Sequence, residues 1–461
     1  MKKHSKMLKT DKSQRDADRK RALDFVRTSK SKQRQKISDR PRQSFSSIPA
    51  LKEAKMMRMA GEQLGIEDPF FRTHAQRACA NTVIDGKNYV NFGSYDYIAL
   101  NGDPRVKQAA KDAIERYGVS ASASRLVAGE RECHVQLEKA LAEHYKVEDA
   151  VVFVSGHATN VSTIATIMNE NDLVLHDAYS HDSILVGIKL SGAKRRSFTH
   201  GDLDKLESQL IESQGQYGNC LVCVEGLYSM DGDICDLPRL LELKEQYGFW
   251  LLVDEAHSIG TIGKTGHGVA EHFGVDPKEV DIWMGTMSKT LGSTGGYIAG
   301  SKELIEVLKT SAPGFVYSVG LPPALSEAAR SSLAILQAES NRVSKLQENS
   351  KYFLEQAKSR GFDTGTAEGH CVVPIILGDS ILAARVSSGL FKHGFNVLPI
   401  LYPAVPMNAA RLRFFLTSEH SFEQIDQVLE ALTKTLKECE EDPIGPEQIM
   451  QAQAMILGAN N

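Results

Sequence analysis

No part of this 461-residue chain is apolar for long enough to cross a bilayer as a helix. Its longest apolar runs, Ala150-Val151-Val152-Phe153-Val154 and Phe249-Trp250-Leu251-Leu252-Val253, are only strand length. No signal-peptide pattern stands at its first residues, so the expectation is a cytoplasmic protein. Cysteine is sparse too: seven residues, scattered and mostly inside apolar runs, argue against a disulfide framework and for a reducing compartment. Cys220 and Cys223 form a C-x-x-C, but they lie in Cys220-Leu221-Val222-Cys223-Val224 with no second ligand pair behind them. That pair reads as a buried strand, and no metal site is expected. There is no G-x-x-x-x-G-K-[ST] phosphate loop, which argues against a nucleotide hydrolase despite the tetrapeptide Asp254-Glu255-Ala256-His257.

What the chain does have is enough apolar sequence, 42% of residues, to bury a large core divided between a big and a smaller domain. The net charge of -4 conceals a strongly basic segment, Met1 to Arg42, too polar to fold alone. It reads as a solvated extension; an anionic membrane surface, an acidic carrier protein or nucleic acid are the alternative partners. Beyond Pro69, strand-like runs at Val151–Val154, Leu173–Leu175, Leu221–Val224 and Leu251–Val253 alternate with helical stretches such as Leu203–Ser213 and Leu237–Tyr247. This predicts an α/β fold with parallel strands joined by helices. A long helical pattern through Ala324 to Leu354 precedes Val372–Leu377, a helix-like Leu382–His393 and Leu412–Leu416, a second α+β region. The expected divisions are a basic extension at 1–45, an arm at 46–100, a large domain at 101–335 and a C-terminal domain at 336–461.

Four short segments carry chemistry. Lys289 lies in Gly285-Thr286-Met287-Ser288-Lys289-Thr290-Leu291-Gly292, a loop of small and hydroxyl residues after an apolar run. A lysine ε-amine condenses with an aldehyde only when uncharged, and a partly buried loop after a strand favours that state. Leu251-Leu252-Val253-Asp254 places a carboxylate at the C-terminal end of a parallel strand, where open α/β sheets bind ligands. An ionised Asp there suits a pyridinium nitrogen, which it keeps protonated. Val151-Val152-Phe153-Val154-Ser155-Gly156-His157 runs from strand through a small-residue turn into a helix start, a place for a phosphate. Glu225-Gly226-Leu227-Tyr228-Ser229 supplies a hydroxyl just beyond another strand.

In this order and at these separations, the four segments resemble the fold-type I pyridoxal-phosphate enzymes, specifically the α-oxoamine synthases, from about Asn91 to about His420. Further features of that likeness are Ser180-His181, Thr286 to Lys289 and Ala410-Arg411-Leu412-Arg413. The resemblance implies a large domain with a mostly parallel seven-stranded sheet, a smaller α+β C-terminal domain, and a homodimer with shared sites. It also implies roles. Lys289 would form a Schiff base with pyridoxal 5'-phosphate and then remove the substrate Cα proton; Asp254 would pair with the pyridine nitrogen. His257 and Ser229 would lie near the phenolic oxygen, and Gly156, His157 and Thr286 near the phosphate. His181 would stack on the ring and bond the substrate, Arg413 would anchor the carboxylate, and Ser318 would reach the neighbouring subunit's phosphate.

The implied reaction joins a small amino acid to an acyl thioester, of coenzyme A or of an acyl-carrier protein, with loss of carbon dioxide, giving an α-amino ketone. Phe92-Gly93-Ser94-Tyr95-Asp96-Tyr97 departs from the common Ser-Asn-Asp-Tyr, with Tyr95 where an Asn would touch the substrate. This Gly-Ser-Tyr arrangement is similar to the serine palmitoyltransferase and polyketide-associated branch. Ala404 in Tyr402-Pro403-Ala404-Val405-Pro406 stands where oxononanoate synthases tend to have Thr and argues against that specificity, and serine is the favoured amino acid. An oxononanoate synthase or glycine C-acyltransferase is the nearer alternative and a same-fold aminotransferase the next. A non-catalytic partner, or a nucleic-acid-binding protein acting through the basic segment, is the alternative of another class.

Overall fold

The computed structural model describes residues 44–457, together with Ala17, Lys20, Arg21, Leu23, Asp24 and Arg27. Most of the basic segment at 1–45 therefore lies outside the described residues. The chain forms two compact units, one drawn from its two ends and one spanning Ile66–Pro443. In the first, helix Pro49–Gln63 packs against helix Pro446–Leu457. Residues 444–457 thus group with the N-terminal helix, a different division from the 336–461 read from the sequence. Nothing in Ile66–Pro443 separates into units at 100 or 335.

The larger unit opens with the hairpin β1 (Asn81–Ile84) and β2 (Lys87–Asn91), turned by Asp85 and Gly86, both at positive φ. Then come β3 (Asp149–Phe153), β4 (Leu173–Asp177), β5 (Lys194–Phe198), β6 (Cys220–Glu225), β7 (Trp250–Asp254), β8 (Ile282–Thr286) and β9 (Gly296–Gly300). These seven make one sheet in the order β3-β9-β8-β7-β6-β4-β5. The run β8-β7-β6-β4-β5 is parallel throughout, while β9 runs antiparallel between β3 and β8. Central strands are buried on both faces, which is why they read as continuous apolar runs. β5 is the exception: Lys194 and Arg195 are exposed, as suits an edge strand that must not recruit another chain.

Helices Leu203–Ser213 and Leu237–Tyr247 match the sequence pattern residue for residue, each opened by an Asp side chain bonding a first-turn amide. The long pattern through Ala324–Leu354 does not form one helix. It breaks at Glu339 into Pro323–Ala338 and Ser340–Ser359, because Glu339 leaves the helical region at ψ 65°. Cys220 and Cys223 lie on β6 as free thiols.

A second three-stranded sheet, β10 (Val372–Gly378), β12 (Leu398–Ile400) and β13 (Ala410–Phe415), is antiparallel with β13 central; β11 (Phe395–Asn396) joins β2 instead. β13 is clamped to the turn after β6. Arg411 Nη1 pairs with Asp231 Oδ1 at 2.6 Å and also donates to Met230 O, with both side chains buried. Removing one partner leaves a buried charge uncompensated. Asp231→Ala should lower unfolding stability by about 3–5 kcal/mol, read as a shift in the denaturant midpoint without a change of slope.

Candidate active site

Parallel strands β6 and β7 end level with one another and β8 runs two residues further, so the residues at or just past their C-terminal ends converge. Glu225 and Asp254 are register partners on β6 and β7. Lys289 lies three residues beyond β8, in a loop closed on itself by Met287 N–H to Gly295 O, Ser293 N–H to Met287 O and Gly292 N–H to Lys289 O, all 2.9 Å. β9 then carries the chain back into the sheet.

The lysine amine sits 2.8 Å from His257 Nε2, and His257 Nδ1 lies 2.6 Å from the Tyr97 hydroxyl. Burial of the amine pulls the Lys289 pKa down to about 8; Asp254 and Glu225 oppose that fall, and Arg413 adds to it. Burial, and then the nearby lysine, hold His257 well below the ordinary histidine value. Glu225 is pushed up to about 8, first by burial and then by the Asp254 charge. Asp254 has both oxygens engaged: Oδ1 accepts the Ala256 N–H and Oδ2 the Asn160 side-chain amide, each at 2.9 Å.

Arg413, on β13, donates through Nη1 to Ser229 O at 3.1 Å and places its guanidinium carbon 4.6 Å from the centre of the Phe415 ring. Its Nε–H is buried and has no partner among the described residues. Tyr95 presents its ring 5.9 Å from the Lys289 nitrogen and packs edge-on to Phe415 at 4.7 Å.

Across the site, helix Gly156–Ile167 begins where β3 ends, with Ser155 accepting the Ala158 N–H. The amides of Gly156 and His157 belong to the first turn, where no intrahelical acceptor exists. A Cβ on Gly156 would fall 2.7 Å from Thr286 Oγ1, so glycine is what lets this helix end approach β8 so closely. Thr286 Oγ1 lies 2.8 Å from Ser288 Oγ and donates to Gly295 O. His157 is exposed, its ring 6.5 Å from that of His181, which opens the next helix, Asp182–Ser191.

Lys289, His257, Asp254, Arg413 and Tyr95 are thus brought together, with Ser229 joined to them through its carbonyl and Gly156, Thr286, His157 and His181 at the facing helix starts. Ser318 is not brought to this cluster: its hydroxyl donates to Val319 O, between the exposed Tyr317 and Val319. Four participants escaped the sequence reading, namely Tyr97, Asn160, Ser183 and Glu225. Glu225 alone had a signal, as the last residue of its strand level with Asp254.

The donor set fits pyridoxal phosphate. Helix-start amides and two hydroxyls suit its phosphate, a buried carboxylate its ring nitrogen, a lysine of lowered pKa its aldehyde, and an unpartnered arginine N–H a substrate carboxylate. Comparison with known proteins agrees. Residues 87–432 match the family model for aminotransferase class I and II. The 8-amino-7-oxononanoate synthase of Symbiobacterium thermophilum is 40% identical over 77% of this chain and 91% of its own length. That of Thermosipho melanesiensis is 41% identical over 80% and 93%. Among solved structures, Sphingomonas wittichii serine palmitoyltransferase superposes with a TM-score of 0.82 at 30% identity, over 87% of this chain and all of that one.

The chain belongs to the α-oxoamine synthases. Like the rest of this group it is a pyridoxal-phosphate-dependent C-acyltransferase, of fold type I. The synthase carries its lysine in a setting that has a measurable consequence. Reductive labelling of the apoprotein's Lys289 with an aromatic aldehyde and borohydride should rise with pH to a midpoint near 8, against above 10 for surface lysines, as quantified by peptide mass.

Proposed function

We propose that this synthase joins serine to an acyl thioester of coenzyme A or of an acyl-carrier protein, releasing carbon dioxide and the thiol and forming an α-amino ketone. The observation that carries the amino-acid half is Arg413: a half-buried guanidinium beside the lysine, whose buried Nε–H is unpartnered among the described residues. An amino-acid carboxylate is the acceptor it lacks, since burying that donor unpaired costs about 1–3 kcal/mol.

Bound pyridoxal phosphate supplies an aldehyde to hold the amino acid and a ring that accepts the electrons of the Cα–H and Cα–carboxylate bonds. The chain does the rest. Lys289 Nζ, uncharged over much of its population near pH 8, takes the Cα proton. His257, held by Tyr97, presents Nε2 to that amine and, once the cofactor is in place, to its phenolic oxygen, with Ser229 close by. Asp254 keeps the ring nitrogen protonated. Gly156, His157 and Thr286 would hold the phosphate, and His181 would stack on the cofactor ring and hydrogen-bond the substrate. Tyr95 fills space beside Lys289 that a smaller Asn would leave open, which supports serine and the serine palmitoyltransferase branch.

The identity of about 40% to proteins named 8-amino-7-oxononanoate synthase supports a second reading, a synthase of that specificity. In either case we assign the working form to a homodimer, in which Ser318 reaches the partner's phosphate from the exposed stretch Tyr317–Val319. Among the described residues no helix is long and apolar enough to cross a membrane, in keeping with a cytoplasmic setting. The basic N-terminal segment would offer acidic carrier proteins or anionic membrane a contact.

Serine, alanine and glycine, each offered with acyl-CoA and acyl-carrier thioesters, should separate these readings by thiol and carbon dioxide release. Turnover with serine is expected; turnover confined to alanine would hand the case to the oxononanoate reading. Lys289→Ala should abolish both the visible absorption of the loaded protein and all turnover, whereas deleting residues 1–42 should leave both. Arg413→Lys should raise KM for the amino acid roughly tenfold while the thioester KM stays put.

A further inference from the structure

Asn160, only 1% exposed on helix Gly156–Ile167, uses one side-chain nitrogen twice. Its Nδ2 contacts Asp254 Oδ2 at 2.9 Å and Ser183 Oγ at 3.0 Å. A carboxylate facing Asn160 calls for the amide's donor end, and an NH2 has two hydrogens and nothing with which to accept. Both contacts therefore run outward from Asn160. Its Oδ1 is buried without a partner among the described residues, a cost accepted in aiming the nitrogen.

Ser183 Oγ, having accepted from Asn160, still has its own hydrogen to give, and His181 Nδ1 lies 2.7 Å away. The Ser183 backbone N–H points at the same nitrogen from 3.2 Å. An N–H can only donate, so Nδ1 must offer a lone pair. A neutral imidazole with a lone pair on Nδ1 carries its hydrogen on Nε2. Partial burial, with Lys289 and His157 nearby and Asp254 opposing them, favours that neutral ring.

We propose that Ser183, seated by Asn160, is a positioning residue that locks His181 as an Nε2–H donor and ties the ring's orientation to Asp254. The role this gives His181 rests on the acyl-transfer reading above. A histidine free to act as a base would compete with Lys289 for the Cα proton. Locked as a donor, it can only stabilise negative charge, on the substrate carboxylate or on the thioester carbonyl oxygen as the new carbon–carbon bond forms. The chain Asp254–Asn160–Ser183–His181 also links, through one amide, the carboxylate that would pair with the cofactor's ring nitrogen and the imidazole that would stack on the cofactor.

The test is the tautomer itself. Solid-state 15N spectra of histidine-labelled, cofactor-loaded protein, with the His181 signals assigned by their loss in His181→Gln, should show an unprotonated Nδ1 and a protonated Nε2. Ser183→Ala removes the shorter of the two donors to Nδ1 and keeps the backbone N–H at 3.2 Å. The spectrum should therefore become a mixture still weighted toward the same tautomer and kcat/KM should fall roughly tenfold, as losing an outer partner does elsewhere, with cofactor loading and thermal midpoint nearly unchanged. Ser183→Thr, which restores a hydroxyl, should recover the wild-type spectrum and much of the rate. A proton on Nδ1 in the wild-type protein overturns the proposal, as does a Ser183→Ala protein with unaltered spectrum and kinetics. Should Ser183→Ala fail to fold, the wild-type spectrum alone decides. The expected tautomer in a protein that transfers no acyl group would leave the lock standing and remove the reaction assigned to it.

Discussion

Withdrawing a lysine amine from water is the constraint on which the rest of this structure depends. Charged and buried, Lys289 would be a heavy cost; the protein meets it by letting the pKa fall to about 8 while Asp254 and Glu225 keep it from falling further. That balance needs carboxylates at fixed places, and the level ends of β6 and β7 provide them. It needs a neutral neighbour at the amine, and burial keeps His257 neutral. Arg413, from the second sheet, works in the opposite sense, and the Arg411–Asp231 clamp holds that sheet's central strand against the turn after β6. Sheet order, strand ends and the inter-sheet ion pair thus act together on one nitrogen.

Many of the residues legible in the sequence sit at a strand end or a helix start that local pattern announces, whereas Arg413, inside β13, and Tyr95, in the loop after β2, are reached through the family likeness. Lys289, Asp254 and Gly156 follow apolar runs, and the helices Leu203–Ser213 and Leu237–Tyr247 have capping residues at their boundaries. Those that escaped are set by tertiary contact. Asn160 sits in a helix interior, and nothing in its neighbours shows that it faces Asp254, 94 positions on. Tyr97 meets His257 across 160 positions. Gly295 and Gly296 look like turn residues and so conceal the start of β9; in the fold Gly296 gives the strand room to pass Thr159 and Gly156. The break at Glu339 is one residue's dihedral angles inside an otherwise continuous helical pattern, beneath the resolution of periodicity.

The two kinds of kinship describe different levels of the molecule. Relatives named for oxononanoate synthesis are nearer in sequence, while serine palmitoyltransferases superpose over most of the chain at lower identity. Tyr95 is the departure that the structure sets beside the lysine, its ring 5.9 Å from Nζ.

Most strands of the main sheet lead into a helix, but the lysine loop leads straight back into its neighbour. β8 and β9 are adjacent and antiparallel, and residues 287–295 close between them with their own backbone bonds. The Lys289 backbone is consequently a fixed pivot, held from both sides by ladder bonds. When the amine lets go of the cofactor and later recaptures it, only four methylenes swing. Recapture is then a short intramolecular return rather than a search, with the amine at a high effective concentration throughout. A hairpin in the midst of a parallel sheet becomes, in kinetic terms, a tether of constant length that resets the enzyme after each turnover.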